Sequence, residues 1–260
     1  CQLGLTYPEC DLRCAKMLEE VLLYASCGDA AIMVVEPIQG SAGNIPAPEG
    51  YFKEIKRILD KHNILLFIDE IYTALGTTGK PFCFQHYDVM PDMITMSKTL
   101  GGGIPISALV TTEQIAESFA PPEPVNYFTT YGCSPLSAAA ALASLNVIIE
   151  EKLWERAASL GEYWIRGLRK LQDRYEIIGD VRGCGLLLAL ELVRDRKTKE
   201  PAKEEAAKLR QEAAKRGLIL LSGLGWLGNI VKMHPSAIMT EQQIDQALDI
   251  IDSSLQAVVS

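Results

Sequence analysis

Two apolar stretches of the sequence end in charged side chains. The stretch ILLFIDEIYT, residues 64–73, places Asp69 and Glu70 after a run that is typical of a buried strand. The stretch MITMSKTLGGG, residues 93–103, places Lys98 after a second such run and before three glycines. Because an uncompensated ion in an apolar interior costs several kcal/mol, these charges need either a partner or a chemical task.

The pattern around these residues predicts an α/β fold with a mostly parallel sheet. Short β-branched runs alternate with helical patterns, and the candidate strands are residues 30–36, 64–69, 92–97 and 106–111. Residues 50–63 carry one apolar stripe at helical spacing, as expected of a helix that crosses between parallel strands. In such sheets ligands bind at the carboxyl ends of the strands. The side chains at those ends are Glu36, Asp69, Glu70 and Lys98.

The second half of the chain predicts a different organisation. Residues 134–175 are helical in pattern, either as two helices or as one helix bent near residues 150–152. Strand-like runs follow at 176–181 and 185–192, and then a charged stretch and further helices. We therefore expect a large domain over residues 1–150 and a smaller C-terminal α+β domain over residues 151–260.

Composition excludes several classes of function. The 260 residues carry a formal net charge of −8, which argues against a nucleic-acid or anionic-membrane partner. No apolar run approaches the roughly 20 residues of a membrane span, and residues 1–11 lack a signal-peptide layout, so a cytoplasmic protein is expected. The seven cysteines form no CxxC pair and the three histidines lie in no metal motif, so neither disulfides nor a metal site is predicted.

Pyridoxal phosphate is a cofactor that uses all of these side-chain types. Its aldehyde needs a lysine amine, its ring nitrogen needs a carboxylate, and its phosphate needs hydrogen-bond donors. Lys98, Asp69 and Thr130, the last within TTYGCSP (129–135), supply one of each. The simpler alternative is an ion pair between Asp69 and Lys98 with no ligand.

The sequence resembles the class III aminotransferases of the fold type I pyridoxal-phosphate enzymes. The resemblance covers nearly the whole chain and is carried by VVEPIQGSAGNIPAPEGYF, LLFIDEIYTALGTTGKPFCFQHYDVMPDMITMSKTLGGGIPISALV, TTYGCSP, IGDVRGCGLLLALELVRDRKTKEPA and GNIVKMHPSAIMT. It implies that Lys98 is the Schiff-base lysine and proton shuttle and that Asp69 is the partner of the ring nitrogen. It also implies that Ile71 covers one ring face and that Glu36 is an acidic residue behind the site. Thr130 would bind the phosphate of the other subunit's cofactor, which implies a homodimer.

Several departures from the family pattern matter for the site. Tyr72 stands where the family has a glutamine that contacts the ring hydroxyl of the cofactor. Lys232 replaces the arginine that grips the substrate carboxylate, and a lysine offers a point charge in place of a planar fork; alternatively, Lys232 points to solvent. The family's large domain also has an N-terminal part with a Gly-Ser phosphate cup, and that part is absent from these 260 residues.

The resemblance implies transamination between an amino acid or amine and a 2-keto acid. Within the family, GDVRGCGLLLALELVRDRKTKEPA and YFTTYGCSP are most similar to dialkylglycine decarboxylase, so decarboxylation-dependent transamination is one alternative. Amino-acid racemisation is a second, and a non-catalytic assembly module is a third. A dinucleotide-binding interpretation rests only on RGCG, which lacks the GxGxxG spacing.

Overall fold

A computed structural model of the chain describes residues 3–118, 132 and 134–260. The helices are α1 (Arg13–Tyr24), α2 (Tyr51–Lys61), α3 (Glu113–Ser118), α4 (Pro135–Glu150), α5 (Leu153–Arg174), α6 (Lys203–Lys215) and α7 (Glu241–Val259). The strands are β1 (Ile32–Val35), β2 (Ile38–Gln39), β3 (Ile45–Pro46), β4 (Leu65–Asp69), β5 (Met93–Met96), β6 (Ala108–Thr111), β7 (Ile178–Cys184), β8 (Leu187–Asp195), β9 (Glu200–Pro201), β10 (Leu221–Leu224) and β11 (Ile230–Met233). None of these helices is long and apolar enough to cross a lipid bilayer.

The chain forms two compact units that interleave along the sequence. Unit 1 comprises Cys1–Pro37, Ala47–Leu75 and Phe82–Val147, and unit 2 comprises Ile38–Pro46, Gly76–Pro81 and Ile148–Ser260. Two short segments from the first half of the chain therefore belong to the same unit as the C-terminal half. The domain boundary at residue 150 stays a prediction.

Unit 1 contains the predicted α/β sheet. Its strand order is β1-β4-β5-β6, with β1, β4 and β5 parallel and β6 antiparallel to β5. Each strand lies within the corresponding run predicted from β-branched residues. Where the ends differ, the strand is shorter than the run by one or two residues. The predicted mostly parallel sheet with flanking helices is confirmed.

Helix α2 covers one face of this sheet. Its apolar stripe buries Phe52, Ile55 and Leu59 in the same core cluster as Leu66 and Ile68 of β4. Because side chains alternate along a strand, Phe67 and Asp69 project to the opposite face. Register therefore places Asp69 on the face that α2 leaves uncovered.

Unit 2 contains an antiparallel sheet with helices on one face. The strand order is β10-β11-β8-β7, with β9 paired to β8, and β2 and β3 form a separate hairpin. Leu188, Leu190 and Val231 are fully buried in one core cluster with residues of α5, α6 and α7.

The long helical stretch predicted at 134–175 is two helices, and Lys152 between them has a left-handed backbone with φ 46°.

Candidate active site

Three of the predicted site residues lie at the carboxyl edge of the unit 1 sheet. Asp69 is the last residue of β4, and Lys98 lies two residues beyond the end of β5, the parallel neighbour of β4. Glu36 directly follows β1, which pairs with β4 on its other side, and its side chain is exposed. A carboxylate and an amine thus stand at the ends of adjacent parallel strands, where such sheets bind ligands.

The carboxylate of Asp69 is oriented through one of its two oxygens. Oδ1 accepts a hydrogen bond from the Ile71 backbone N–H at 2.9 Å and one from Thr95 Oγ1 at 3.3 Å. Thr95 is the register partner of Asp69 on β5. Among the described residues these bonds converge on Oδ1 and leave Oδ2 open to a further donor. The sequence prediction missed Thr95, although its place three residues before Lys98 puts it beside Asp69 once β4 and β5 are aligned.

Lys98 has a strained backbone. Its φ of 42° lies in the left-handed region, which is uncommon for a residue other than glycine. The turn that it begins, Lys98–Gly101, is anchored by two hydrogen bonds: Ser97 Oγ donates to the Ile106 carbonyl at 2.6 Å, and Ser144 Oγ donates to the Thr99 carbonyl at 2.9 Å. Strain that the surroundings hold in place is a mark of functional positions. The side chain of Lys98 is exposed and available to a ligand.

Tyr72 lies beside the Lys98 ammonium. The Nζ atom is 5.5 Å from the centroid of the Tyr72 ring, within the range of a cation–π contact. Tyr72 follows Asp69 by three residues, so the turn after β4 brings the phenol and the amine together. Contact of Tyr72 with the cofactor's ring hydroxyl stays a prediction.

Glu70 does not share the site of its neighbour Asp69. Its side chain is fully buried and accepts hydrogen bonds from Thr73 Oγ1 at 2.6 Å and from the Phe84 backbone N–H at 2.8 Å. Burial raises the pKa of Glu70 above its ordinary value, and the hydrogen bonds from Thr73 and from the backbone of Phe84 and Cys83 oppose that rise. Glu70 therefore fastens the loop at 82–84 to the end of β4.

Replacing Glu70 with glutamine should change how stability depends on pH. Because the folded-state pKa of Glu70 is raised, its contribution to stability is complete below the ordinary pKa of 4.5 and declines as pH rises through the folded value. Glutamine keeps an acceptor for Phe84 and does not ionise. In urea titrations at several pH values, the free energy of unfolding of Glu70→Gln should therefore rise relative to the unaltered protein as pH increases above about 4.5.

Glu54→Gln is the matched control in unit 1. Hydrogen bonds from Arg57 lower the pKa of Glu54, so Glu54 contributes stability that is lost as pH falls, the opposite sign to Glu70. Parallel pH profiles for Glu70→Gln and the unaltered protein would contradict the assignment of a raised pKa to Glu70.

Lys232 lies in unit 2, on β11. It is 7% exposed, and its Nζ donates a hydrogen bond to the Gly40 carbonyl at 3.0 Å. The alternative that Lys232 points to solvent is wrong, because the β2–β3 hairpin of the same unit covers the side chain.

The predicted phosphate ligand Thr130 lies outside the described residues.

Comparison with known proteins identifies the family. The sequence profile described as Aminotransferase class-III matches residues 5–255, nearly the whole chain. The chain belongs to the class III aminotransferases.

Several relatives within this family have assigned activities. The chain is 41% identical to a leucine/methionine racemase of Thermococcus litoralis, over 99% of this chain and 57% of the racemase. It is 36% identical to a taurine–pyruvate aminotransferase of Bilophila wadsworthia, over 97% of this chain and 60% of that enzyme. The chain thus spans less than two thirds of the length of these class III relatives.

Solved structures of transaminases share the fold. An (S)-enantioselective omega-transaminase from Thermomicrobium roseum matches with a TM-score of 0.90 and 33% identity, over 99% of this chain and 57% of that one. A Bacillus anthracis aminotransferase matches with a TM-score of 0.89 and 31% identity, over 95% and 57%. The fold type I assignment is confirmed.

Class III aminotransferases depend on pyridoxal phosphate, and the donor set at the sheet edge fits that cofactor. Lys98 offers an exposed primary amine for the aldehyde. Asp69 has a carboxylate whose Oδ1 is held by Ile71 and Thr95 and whose Oδ2 accepts no hydrogen bond from the described residues, and a carboxylate is the group that the ring nitrogen of the cofactor requires. Both groups that the ring of the cofactor requires are therefore present in unit 1.

Proposed function

We propose that the full-length protein catalyses pyridoxal-phosphate-dependent transamination between an amino acid or amine and a 2-keto acid. One observation carries the proposal: the open Oδ2 of Asp69 and the exposed amine of Lys98 stand at the ends of adjacent parallel strands. Membership of the class III family supports it, as does the taurine–pyruvate aminotransferase among the relatives.

The bound cofactor would supply an aldehyde that reacts with amines and a protonated ring that withdraws electrons from the α-carbon of the donor. Lys98 would carry the proton, because an unprotonated Nζ can accept it from the α-carbon and release it again. Asp69 Oδ2 would accept a hydrogen bond from the ring N–H and keep that nitrogen protonated. Thr95 and the Ile71 N–H would hold the carboxylate in the orientation that this bond requires.

Further residues would surround the ring and the substrate. The Ile71 side chain would cover one ring face, Tyr72 would donate a hydrogen bond to the ring hydroxyl oxygen, and Glu36 would contribute negative charge behind the site. Lys232 would bind the substrate carboxylate through its ammonium. Thr130 would bind the phosphate of the cofactor in the partner subunit.

Racemisation is the second candidate function, and the 41% identical leucine/methionine racemase favours it. Both reactions begin with removal of the α-proton by Lys98 and differ in the carbon that receives the proton. Chiral analysis of an L-amino acid incubated with the full-length enzyme separates them. The D-enantiomer without keto acid would indicate racemisation, whereas keto acid that depends on an added acceptor would indicate transamination.

Covalent trapping tests the cofactor assignment directly. We expect borohydride treatment of the full-length protein with pyridoxal phosphate to attach the cofactor to the peptide that contains Lys98, as read by mass spectrometry of the digest. Modification spread over other lysines, with none on Lys98, would overturn the proposal and favour a non-catalytic assembly module.

The full-length protein is also proposed to be a homodimer in the cytoplasm. Exposed apolar side chains on the uncovered strand positions of unit 1, Ile32, Val34 and Leu109, are compatible with burial by other chain segments. Among the described residues, Cys10, Cys14, Cys27, Cys83 and Cys184 form no disulfide, as is usual in reducing compartments. Light scattering that gives the mass of one chain, or recovery in an extracellular fraction, would contradict these assignments.

A further inference from the structure

Two cations of unit 2 lie in one cross-strand row of the antiparallel sheet. Arg182 on β7 is the register partner of Ala189 on β8, and Ala189 is also the partner of Lys232 on β11. Directly opposed residues of antiparallel strands project to the same face. Arg182 and Lys232 therefore flank the small, fully buried Ala189 on the face opposite the helical core.

Both cations bond to the same turn of the β2–β3 hairpin. Lys232 Nζ donates to the Gly40 carbonyl at 3.0 Å, and Arg182 Nε donates to the Gly43 carbonyl at 2.9 Å. The turn is closed by the Gly43 and Asn44 backbone N–H groups, which donate to the same Gly40 carbonyl at 3.1 and 3.2 Å. A shift of the turn at Gly43 would thus move the acceptor of the Lys232 ammonium.

The turn packs tightly against the guanidinium. Gly43 has φ +127°, and a Cβ at this position would lie 2.9 Å from Arg182 Nη2 and 3.1 Å from Ile230 Cγ1. The Asn44 side chain donates to the Leu188 carbonyl at 3.0 Å and fixes the other side of the turn to β8. The hairpin turn consequently has little room to move while Arg182 is in place.

Arg182 is itself held by two carboxylates. Its Nη1 lies 2.8 Å from Asp180 Oδ2 and 2.6 Å from Glu191 Oε2, and its side chain is 12% exposed. Its Nη2 is buried and has no hydrogen-bond partner among the described residues. The two carboxylates and the Gly43 carbonyl therefore fix the orientation of the guanidinium, although Nη2 is left without a hydrogen-bond acceptor among the described residues. With two acids adjacent, Arg182 is poorly suited to bind an anion directly.

We infer that Arg182 is a positioning residue for the substrate carboxylate, acting on Lys232 through the Gly40–Gly43 turn. The inference rests on the proposed function of Lys232. The carboxylates aim Arg182, Arg182 fixes the Gly43 carbonyl, and the turn fixes the Gly40 carbonyl and with it the Lys232 ammonium. The substrate class selected by this arrangement is an α-amino acid, in preference to an amine of the same side chain that lacks the carboxylate.

The test uses the full-length holoenzyme with L-norvaline and butylamine, which differ only by the α-carboxylate. The dissociation constant of each donor is read from the concentration dependence of the cofactor absorbance change in a single turnover. Arg182→Met should weaken norvaline binding about tenfold and leave butylamine binding and the limiting rate within about twofold. Arg182→Lys retains a hydrogen-bond donor for the Gly43 carbonyl, so its dissociation constant for norvaline should lie between those of the unaltered enzyme and Arg182→Met.

Hydrogen exchange supplies a readout that does not require turnover. Peptides that cover residues 38–46 should exchange faster in both Arg182 variants. The exchange rates of peptides from the helices α5, α6 and α7 should be unchanged. Unaltered exchange at 38–46, or faster exchange with unaltered norvaline binding, would overturn the inference. If Arg182→Met does not fold, Arg182→Lys alone decides between these outcomes.

A double-mutant cycle separates failure of the inference from failure of the proposed function. If Arg182 acts through Lys232, adding Arg182→Met to Lys232→Met should weaken norvaline binding no further. Additive effects would overturn the inference and leave Lys232 as a carboxylate ligand. Unchanged norvaline binding in Lys232→Met alone would contradict the proposed role of Lys232, and the inference would fall with it.

Discussion

Lys98→Ala in the full-length protein should lose transamination activity by about four orders of magnitude, the upper end of what a positioned acid–base group contributes. The substitution removes the only atom of this residue, Nζ, that can accept and return the donor's α-proton. The exposed position of the side chain means that truncation leaves no cavity in the core. The melting temperature should therefore stay close to that of the unaltered protein, and donor-dependent keto-acid formation measures the loss.

Two comparisons make this result specific to Lys98. Lys53→Ala removes an exposed lysine of unit 1 that pairs with Asp88 at 2.9 Å, and it should retain full activity. Added methylamine should restore part of the activity of Lys98→Ala, because a small amine can accept the proton that Nζ accepted. Activity of Lys98→Ala within tenfold of the unaltered enzyme would rule out Lys98 as the proton carrier.

The positions of Asp69 and Lys98 could be predicted because they depend on local patterns. Each follows a short β-branched run, and parallel strands bring their carboxyl ends to one edge. Alternation along β4 also fixes the face on which Asp69 lies, since Ile68 points into the core. The two-residue period of the strands thus carries most of the information about where Asp69 and Lys98 lie.

The environments of Glu70 and Lys232 could not be predicted because they depend on distant segments. Glu70 is the next residue after Asp69 in the sequence. Its side chain is buried because it accepts hydrogen bonds from Thr73 and Phe84, which the sequence around Asp69 does not reveal. The acceptor of Lys232 is Gly40, which is 192 residues away in the chain. Neither contact leaves a periodic signal, and both join segments whose order in the sequence says nothing about their proximity.

The interleaving of the two units has the same cause. Residues 38–46 and 76–81 are short, and the pattern around each of them continues that of unit 1. Their membership of unit 2 follows from hydrogen bonds to β8 and to the turn between β7 and β8. The Asn44 side-chain amide donates to the Leu188 carbonyl of β8, and the Leu186 N–H of the turn donates to the Thr77 carbonyl at 2.9 Å. Where such segments meet, their backbones approach so closely that some positions accept only glycine.

Gly185→Ala should lower the free energy of unfolding by about 3 kcal/mol, at the high end for overpacking a close contact. Gly185 has φ +55°, and a Cβ there would lie 2.5 Å from the Thr78 carbonyl carbon, 2.6 Å from the Thr77 carbonyl oxygen and 2.8 Å from the Gly79 nitrogen. All three atoms are backbone, so no side-chain rotation can relieve the overlap. On the other side, the Gly185 carbonyl would lie 2.1 Å from a Cβ at Gly161 of α5, so the turn cannot retreat.

Gly223→Ala separates the steric effect from the backbone effect. Gly223 has a similar φ of +74° and belongs to the same unit, and a Cβ added there would meet no atom of the described residues within 4 Å. Alanine there should cost only the left-handed backbone penalty of about 1–2 kcal/mol. The difference between the two variants in urea denaturation of the full-length protein therefore measures the steric overlap of the added methyl group at residue 185 with the backbone of residues 77–79. Equal losses would contradict the prediction, because they would mean that the segment 77–79 moves to accept the added methyl group at little cost.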